Sequence, residues 1–227
     1  MTTAHACWLH DTGTPLPPEL SQQLTDAERT ELARFRHPDR SRSFILSRVM
    51  LRQLLRQLLA GNDGSPVLDR TASGRLTLMS PPGWHISVSH CPGHVAVMAA
   101  HAPCGIDVEI NRDADWKRIA RRYFSEAEND YLQQLEATRG AEDFLKLWTL
   151  KEAGVKAMGT GLAGNLSRLA FDIRGNSASP QPSSAPGMRT HLQQMASCTL
   201  AMALLTNKKA SWHVCELALE DLLTVSG

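Results

Sequence analysis

Two short blocks of this chain carry side chains that chemistry could use. Gly105-Ile106-Asp107-Val108-Glu109 reads as a strand with carboxylates at i and i+2. Successive strand side chains point to opposite faces, so Asp107 and Glu109 share one, while Ile106, Val108 and Ile110 form a buried-looking face behind them. Trp148-Thr149-Leu150-Lys151-Glu152-Ala153-Gly154-Val155-Lys156 reads as a helix with Glu152 and Lys156 at i and i+4. Paired carboxylates can hold a hard cation such as Mg²⁺, a lysine can hold phosphate, and a further carboxylate can move a proton. Together they suggest metal-assisted chemistry on a phosphate ester. By spacing alone Glu152 and Lys156 are an ordinary surface pair worth about 0.2–0.5 kcal/mol. Trp148, one turn earlier on the same face, sets them apart. Ser89-His90 closes a predicted strand just before Cys91-Pro92-Gly93, where an imidazole can donate to phosphate. No Gly-x-Ser-x-Gly elbow surrounds Ser89, which argues against a serine nucleophile.

These residues need elements to position them. Strands are expected over 4–10, 76–79, 85–89, 94–100 and 105–110, where apolar residues alternate or run between Pro and Gly. Thr25-Asp26-Ala27-Glu28 is a capping-box pattern that starts a helix running to about Arg36. Pro38 interrupts it, and a second helix follows over 39–60, with Gly61 as its stop. Helices return over 114–123, 126–136 and 141–158, and strands over 169–173, 198–205 and 212–219. Helix followed by three strands thus occurs twice, which predicts an α+β protein of two similar halves joined near 103–112, with a cleft between them. Residues 174–187, rich in Ser, Pro, Ala and Gly, are expected to be a mobile loop.

With 227 residues and 42% hydrophobic content, the chain fits one large soluble domain or two small ones. No apolar run approaches the roughly 18 residues of a membrane span. The first residues lack a secretory signal pattern. Five cysteines without CxxC spacing suit a reducing cytoplasm better than a disulfide framework or a zinc site. A net charge of +1 speaks against nucleic acid. Locally, Arg34, Arg36, Arg40, Arg42, Arg48, Arg52 and Arg56 face one acid, Asp39, which suits an anionic small ligand or acidic partner. Arg48, Arg52 and Arg56 also form one helical stripe, readable as a solvated face.

Trp-(Ser/Thr)-x-Lys-Glu-Ala-x-x-Lys, preceded by Gly-(Ile/Val)-Asp-x-Glu and by Ser-His after a strand, resembles the 4′-phosphopantetheinyl transferases. The resemblance is to their long, single-chain, surfactin-synthetase-activating type, and it covers about Arg34 to Leu162. It implies two α/β subdomains forming a pseudo-dimer within a monomer. Residues 1–104 would contact the phosphate and adenine of coenzyme A, and 105–227 would carry Mg²⁺ and the catalytic residues. The implied reaction moves 4′-phosphopantetheine from coenzyme A to a serine of an apo acyl or peptidyl carrier protein, leaving adenosine 3′,5′-bisphosphate. By position, Asp107, Glu109 and Glu128 would bind the metal, although Glu128 is equally the last member of a capping box with Ser125. Glu152 would be the base, with Lys156 neutralising pyrophosphate and Lys151 assisting. Ser89, His90, Arg36, Arg42 and Arg75 would contact coenzyme A. The chain departs from the pattern at Leu76, where a proline is usual, and at Glu28 and Glu31, where a member of the family carries lysines. The basic and apolar segment 111–122 would be either a carrier docking surface or an ordinary amphipathic helix. A carrier-binding module without activity and a Mg²⁺-dependent nucleotide phosphohydrolase are the alternative functions.

Overall fold

The computed structural model describes residues 1–60, 66–71, 74–111, 115–161, 166–174 and 177–223. The expected helix stop at Gly61, Arg112 and the helix start at Ala114 lie outside them, as does Leu162. Strand β1 (Thr2–His10) leads into short helices α1 (Pro18–Gln22) and α2 (Asp26–Leu32), then the long α3 (Pro38–Leu58). Thr25 and Glu28 close the predicted capping box reciprocally. Two helices are separated at Pro38 as expected, and the proline itself opens α3 at its first turn, where its missing N–H costs nothing. Strands β2 (Val67–Arg70), β3 (Leu76–Ser80), β4 (His85–Cys91), β5 (His94–Ala100) and β6 (Cys104–Glu109) follow. The second half runs through α4 (Trp116–Tyr123), α5 (Glu126–Gln133), α6 (Ala137–Met158), β7 (Phe171–Arg174), β8 (Ser177–Pro180), β9 (Met188–Gln194), β10 (Thr199–Leu205) and β11 (Ala210–Leu217).

Among the described residues, one sheet has the order β11-β1-β5-β4 and another β6-β10-β9. The order β1-β5-β4 of the first half is repeated by β6-β10-β9 of the second, and each half carries one long helix, α3 or α6. The sequence predicts two similar halves, but as a helix followed by three strands. The repeat seen is strand, long helix and a pair of strands, and it uses β9, which the sequence pattern does not place. Two further details differ. Part of the expected loop 174–187 pairs as the β7–β8 hairpin, because backbone pairing needs no apolar pattern. The last strand, β11, crosses the expected boundary at 104/105 and pairs in parallel with β1.

The two sheets face each other across small and flexible apolar residues. Ala4, Ala6, Ala96 and Met98 of the first meet Ile106, Val108, Leu200 and Met202 of the second. Alanines at alternate positions let the sheets approach closely, and the alternation sends Cys7, Leu9, Val95 and Val97 to the opposite face, under α3. On the far side of the second sheet, Leu147, Leu150 and Ala153 of α6 pack with Ala201 and Ala203 of β10. No helix among the described residues is long and apolar enough to cross a membrane.

Candidate active site

The site begins with a glycine. A Cβ on Gly105 would lie 2.0 Å from the Ala153 carbonyl oxygen and 2.6 Å from the Ala157 nitrogen. Only glycine lets the α6 backbone lie this close to β6. That contact carries the Glu152–Lys156 face of α6 onto the strand face holding Asp107 and Glu109. Asp107 is 2% exposed. Its Oδ1 accepts from Ser89 Oγ at 2.7 Å and from Lys156 Nζ at 2.7 Å. Lys156 also donates to Ser89 Oγ at 2.9 Å and to the Ile106 carbonyl at 3.1 Å. Trp148 Nε1 reaches Glu109 Oε1 at 3.4 Å, which explains the tryptophan one turn before Glu152. The structure therefore brings together Ser89, Asp107, Glu109, Trp148, Glu152 and Lys156 from β4, β6 and α6.

Electrostatics mark this cluster as a place for a cation. Burial, then the charge of Asp107 and, less strongly, that of Glu109, push the Glu152 carboxyl up to about 7, against the opposing pull of Lys156. Asp107 Oδ2 is buried with no donor. Lys156 is ion-paired to Asp107 through Oδ1, and the buried Oδ2 is left over as an acceptor. Among the described residues, no group of three or more acid, histidine or cysteine side chains is placed to hold a metal ion. Mg²⁺ needs only one or two carboxylates plus substrate phosphate and waters, and Asp107 with Glu109 on one strand face is a donor set of that kind.

Lys156 also lines a cavity of about 710 Å³ that continues past His90 and Val88 to Arg40, Arg48, Arg70 and Arg75. Its size is ordinary for a small-molecule site. Partial desolvation, then the charges of Lys156 and Arg40, hold the His90 imidazole below its usual value. Gly159, left-handed at the end of α6, leaves room for Arg75: a Cβ there would sit 2.5 Å from Arg75 Nη1. The guanidinium thus lies over the helix C-terminus, where the carbonyl ends favour a cation.

Two of the arginines expected at coenzyme A lie outside this cavity. Arg42 does not line this cavity; its Nε and Nη2 hold Asp11 bidentately, each at 2.5 Å. Arg36 is exposed and also lies outside the lining. In α3, Arg40, Phe44 and Arg48 recur every fourth residue and share the cavity face, while Arg42 is turned well away from it. That spacing, with an aromatic between two arginines, was the signal in the sequence. Nor is the Arg48–Arg52 stripe solvated. Both are buried against Glu28, with Arg52 Nη2 2.5 Å and Arg48 Nε 3.3 Å from its carboxylate. Burial, and next the neighbouring Arg70, lower the Arg48 guanidinium to about 10. Arg48 Nε and Arg52 Nη1 lack a hydrogen-bond acceptor. Glu31 holds Arg70 at 2.6 Å. The acids at 28 and 31 thus position arginines from other elements.

Lys151 and Glu128 also move out of the site. Residue 151 lies about 100° around α6 from residue 152 and faces the other way. Its ammonium is fully buried, 2.7 Å from Glu128 Oε2, and donates to the carbonyls of Leu166 and Leu169. Glu128 accepts from the Ser125 N–H at 2.9 Å and the Phe171 N–H at 2.9 Å. Of the two readings of Glu128, the capping box is present, and both its oxygens accept from protein donors. The pair clamps α5, α6 and β7 together.

Beside Glu109 lies a second hollow of about 180 Å³, lined by Ile110, Trp116, Ile119, Phe144 and Trp148. Helix α4 turns Trp116 and Ile119 towards it and exposes Lys117, Arg118, Arg121 and Arg122.

Residues 103–216, half of the chain, match the family described as the 4′-phosphopantetheinyl transferase superfamily. A 4′-phosphopantetheinyl transferase of Bacillus pumilus is 29% identical over 214 residues, covering 91% of this chain and 89% of that protein. Another, HetI of a Nostoc species, is 30% identical over 151 residues, covering 64% of this chain and 63% of that one. The solved holo-[acyl-carrier-protein] synthase of Thermotoga maritima aligns at 23% identity with a TM-score of 0.39, over 48% of this chain and 65% of that one.

Proposed function

The chain belongs to the 4′-phosphopantetheinyl transferase superfamily, and from that premise we propose how its residues divide the work. It is a transferase that moves the phosphopantetheine group of coenzyme A to carrier proteins. In our reading coenzyme A fills the 710 Å³ cavity, with its adenosine and phosphate end towards Arg40, Arg48, Arg70 and Arg75. Its pyrophosphate would lie by His90 and Lys156. One observation supports this most: Lys156 lines the cavity and is also ion-paired to the buried Asp107, so ligand and acids meet at one ammonium.

Asp107 and Glu109 would hold Mg²⁺, which when bound would offset charge on the pyrophosphate. Glu152 takes the proton of the carrier serine as its oxygen bonds to phosphorus. The bond to the departing adenosine 3′,5′-bisphosphate breaks, and Lys156 offsets the negative charge left there. Ser89 positions Lys156 and Asp107 through its two hydrogen bonds. The carrier approaches over α4, whose cations suit an acidic helix and whose hollow at Trp116 and Trp148 suits an apolar anchor. A monomer in the cytoplasm is part of this reading.

The test is to incubate the protein with coenzyme A, Mg²⁺ and an apo carrier protein and to follow the carrier by mass. A gain of one phosphopantetheine is expected, lost on omitting Mg²⁺. Carrier binding without mass gain would indicate a binding module. Phosphate release from nucleotides without a carrier would indicate a phosphohydrolase. Glu152→Gln should lose transfer at least 10²-fold while still binding coenzyme A. Equal loss of both would remove Glu152 from the role of base.

A further inference from the structure

The pairing of β1 with β11 sets Cys7 directly against Cys215. Neighbouring strands lie about 4.8 Å apart, within the Cα separation that a disulfide spans. The two sulfurs are 2.8 Å apart, closer than a loose contact between thiols. Their surroundings differ sharply. Cys7 is buried in the core under α3 at 2% exposure, whereas Cys215, on the sheet's edge strand, is the one exposed cysteine of the five. The hydrogen bond between them acts in opposite directions on the two groups. With burial it holds the Cys7 thiol well above its usual value, and it brings Cys215 down to about 7. Cys104 and Cys198, by contrast, are raised to about 12 and about 11, chiefly by burial. An accessible sulfur that readily becomes a thiolate, touching a protected one, is the arrangement of an attacking and a resolving cysteine.

We propose that Cys7 and Cys215 are a reversible oxidation site that a peroxide closes into a disulfide, tying the first strand to the last. The Cys215 thiolate attacks a peroxide oxygen, forming an S–O bond as the O–O bond breaks. The hydroxide released takes a proton and leaves as water. Cys7 sulfur then attacks Cys215 sulfur, the S–O bond breaks, and the departing hydroxide takes the Cys7 proton as a second water. Two thiols and one hydrogen peroxide thus give one disulfide and two waters, with sulfur oxidised by two electrons. The proposal stands apart from the transfer chemistry, since β11 and β4, the strand carrying Ser89, are opposite edges of the first sheet.

The test treats the reduced full chain with stoichiometric hydrogen peroxide and follows intact mass, peptide linkage and thermal unfolding. The expected product has lost two hydrogens, yields a dithiothreitol-sensitive Cys7–Cys215 peptide, and melts about 4–16 °C higher than the reduced chain. Cys215→Ser, at an exposed position, should fold and give none of that product. A cross-link between other cysteines would overturn the proposal. So would Cys215 gaining oxygens while Cys7 remains alkylatable in the unfolded chain.

Discussion

Gly105→Ala tests the contact on which the whole site rests. The added methyl would lie 2.0 Å from the Ala153 carbonyl oxygen, about 1.4 Å short of ordinary contact, and 2.6 Å from the Ala157 nitrogen. Both neighbours are backbone, so no rotamer change relieves the clash; α6 must move off β6. Overpacking of this kind costs about 3 kcal/mol, the upper end of its usual range. For a chain of this size that lowers Tm by about 6–12 °C. A displacement near 1 Å also separates Lys156 and Glu152 from Asp107, which should reduce transfer about 10²-fold in the folded protein. Gly154→Ala is the control on the same helix. Its methyl meets the tips of Leu169 and Met188, which can swing aside, and alanine favours the helix by about 1 kcal/mol. Its Tm should stay within about 4 °C of wild type. Calorimetry and the carrier mass assay read both effects. A Gly105→Ala protein that melts within 2 °C of wild type and transfers at full rate, to within about 2-fold, refutes the close-approach argument.

Three further outcomes are expected. Lys151→Met leaves Glu128 charged and buried, and should cost about 3–5 kcal/mol. Adding Glu128→Gln should recover at least half of that loss in chemical denaturation, and no recovery would mean the two are not paired. Arg40→Ala should raise KM for coenzyme A about 10-fold, the worth of one charge-assisted contact, whereas Arg42→Ala should leave KM unchanged and lower Tm through the loss of its Asp11 pair. The reverse pattern would put the cavity's cations on the wrong arginine. Glu152 is held near 7 in the folded protein against 4.5 ordinarily, so the folded state binds the extra proton and ionisation costs stability. Without Mg²⁺, wild type should therefore lose Tm relative to Glu152→Gln as pH rises from 4.5 to 7, and Mg²⁺ should abolish the loss. A difference that stays flat across that window would mean that the acids do not crowd Glu152.

The sequence disclosed what depends on local periodicity. Asp107 and Glu109 share a face because strands alternate, and Glu152 and Lys156 share one because helices repeat near four. The glycine before Ile106 was visible, but the reason for it was not, since it lies in a helix some fifty residues later. The same holds for Arg42 with Asp11, Glu28 with Arg48 and Arg52, and Lys151 with Glu128. Each is a pairing across the chain that leaves no mark on spacing. Charge content suggested an anion site, but helix geometry had to decide that Arg40 lines it and Arg42 does not. β8, inside the expected loop 174–187, escaped because it is short and partly polar, and the pairing of β11 escaped because nothing local tells a strand to pair with residues two hundred positions earlier.

That last pairing has a consequence for how the protein is made. Thr2–His10 leaves the ribosome about two hundred residues before its partner Ala210–Leu217. At about 5–20 residues per second, one edge of β1 would wait roughly 10–40 s for its neighbour. During that interval the first half can collapse around α3, yet it carries an open strand edge that invites pairing with other chains. The nascent chain should therefore depend on chaperone cover until β11 emerges, and pulse-labelled ribosome complexes should show β1 amides exchanging until that strand is out.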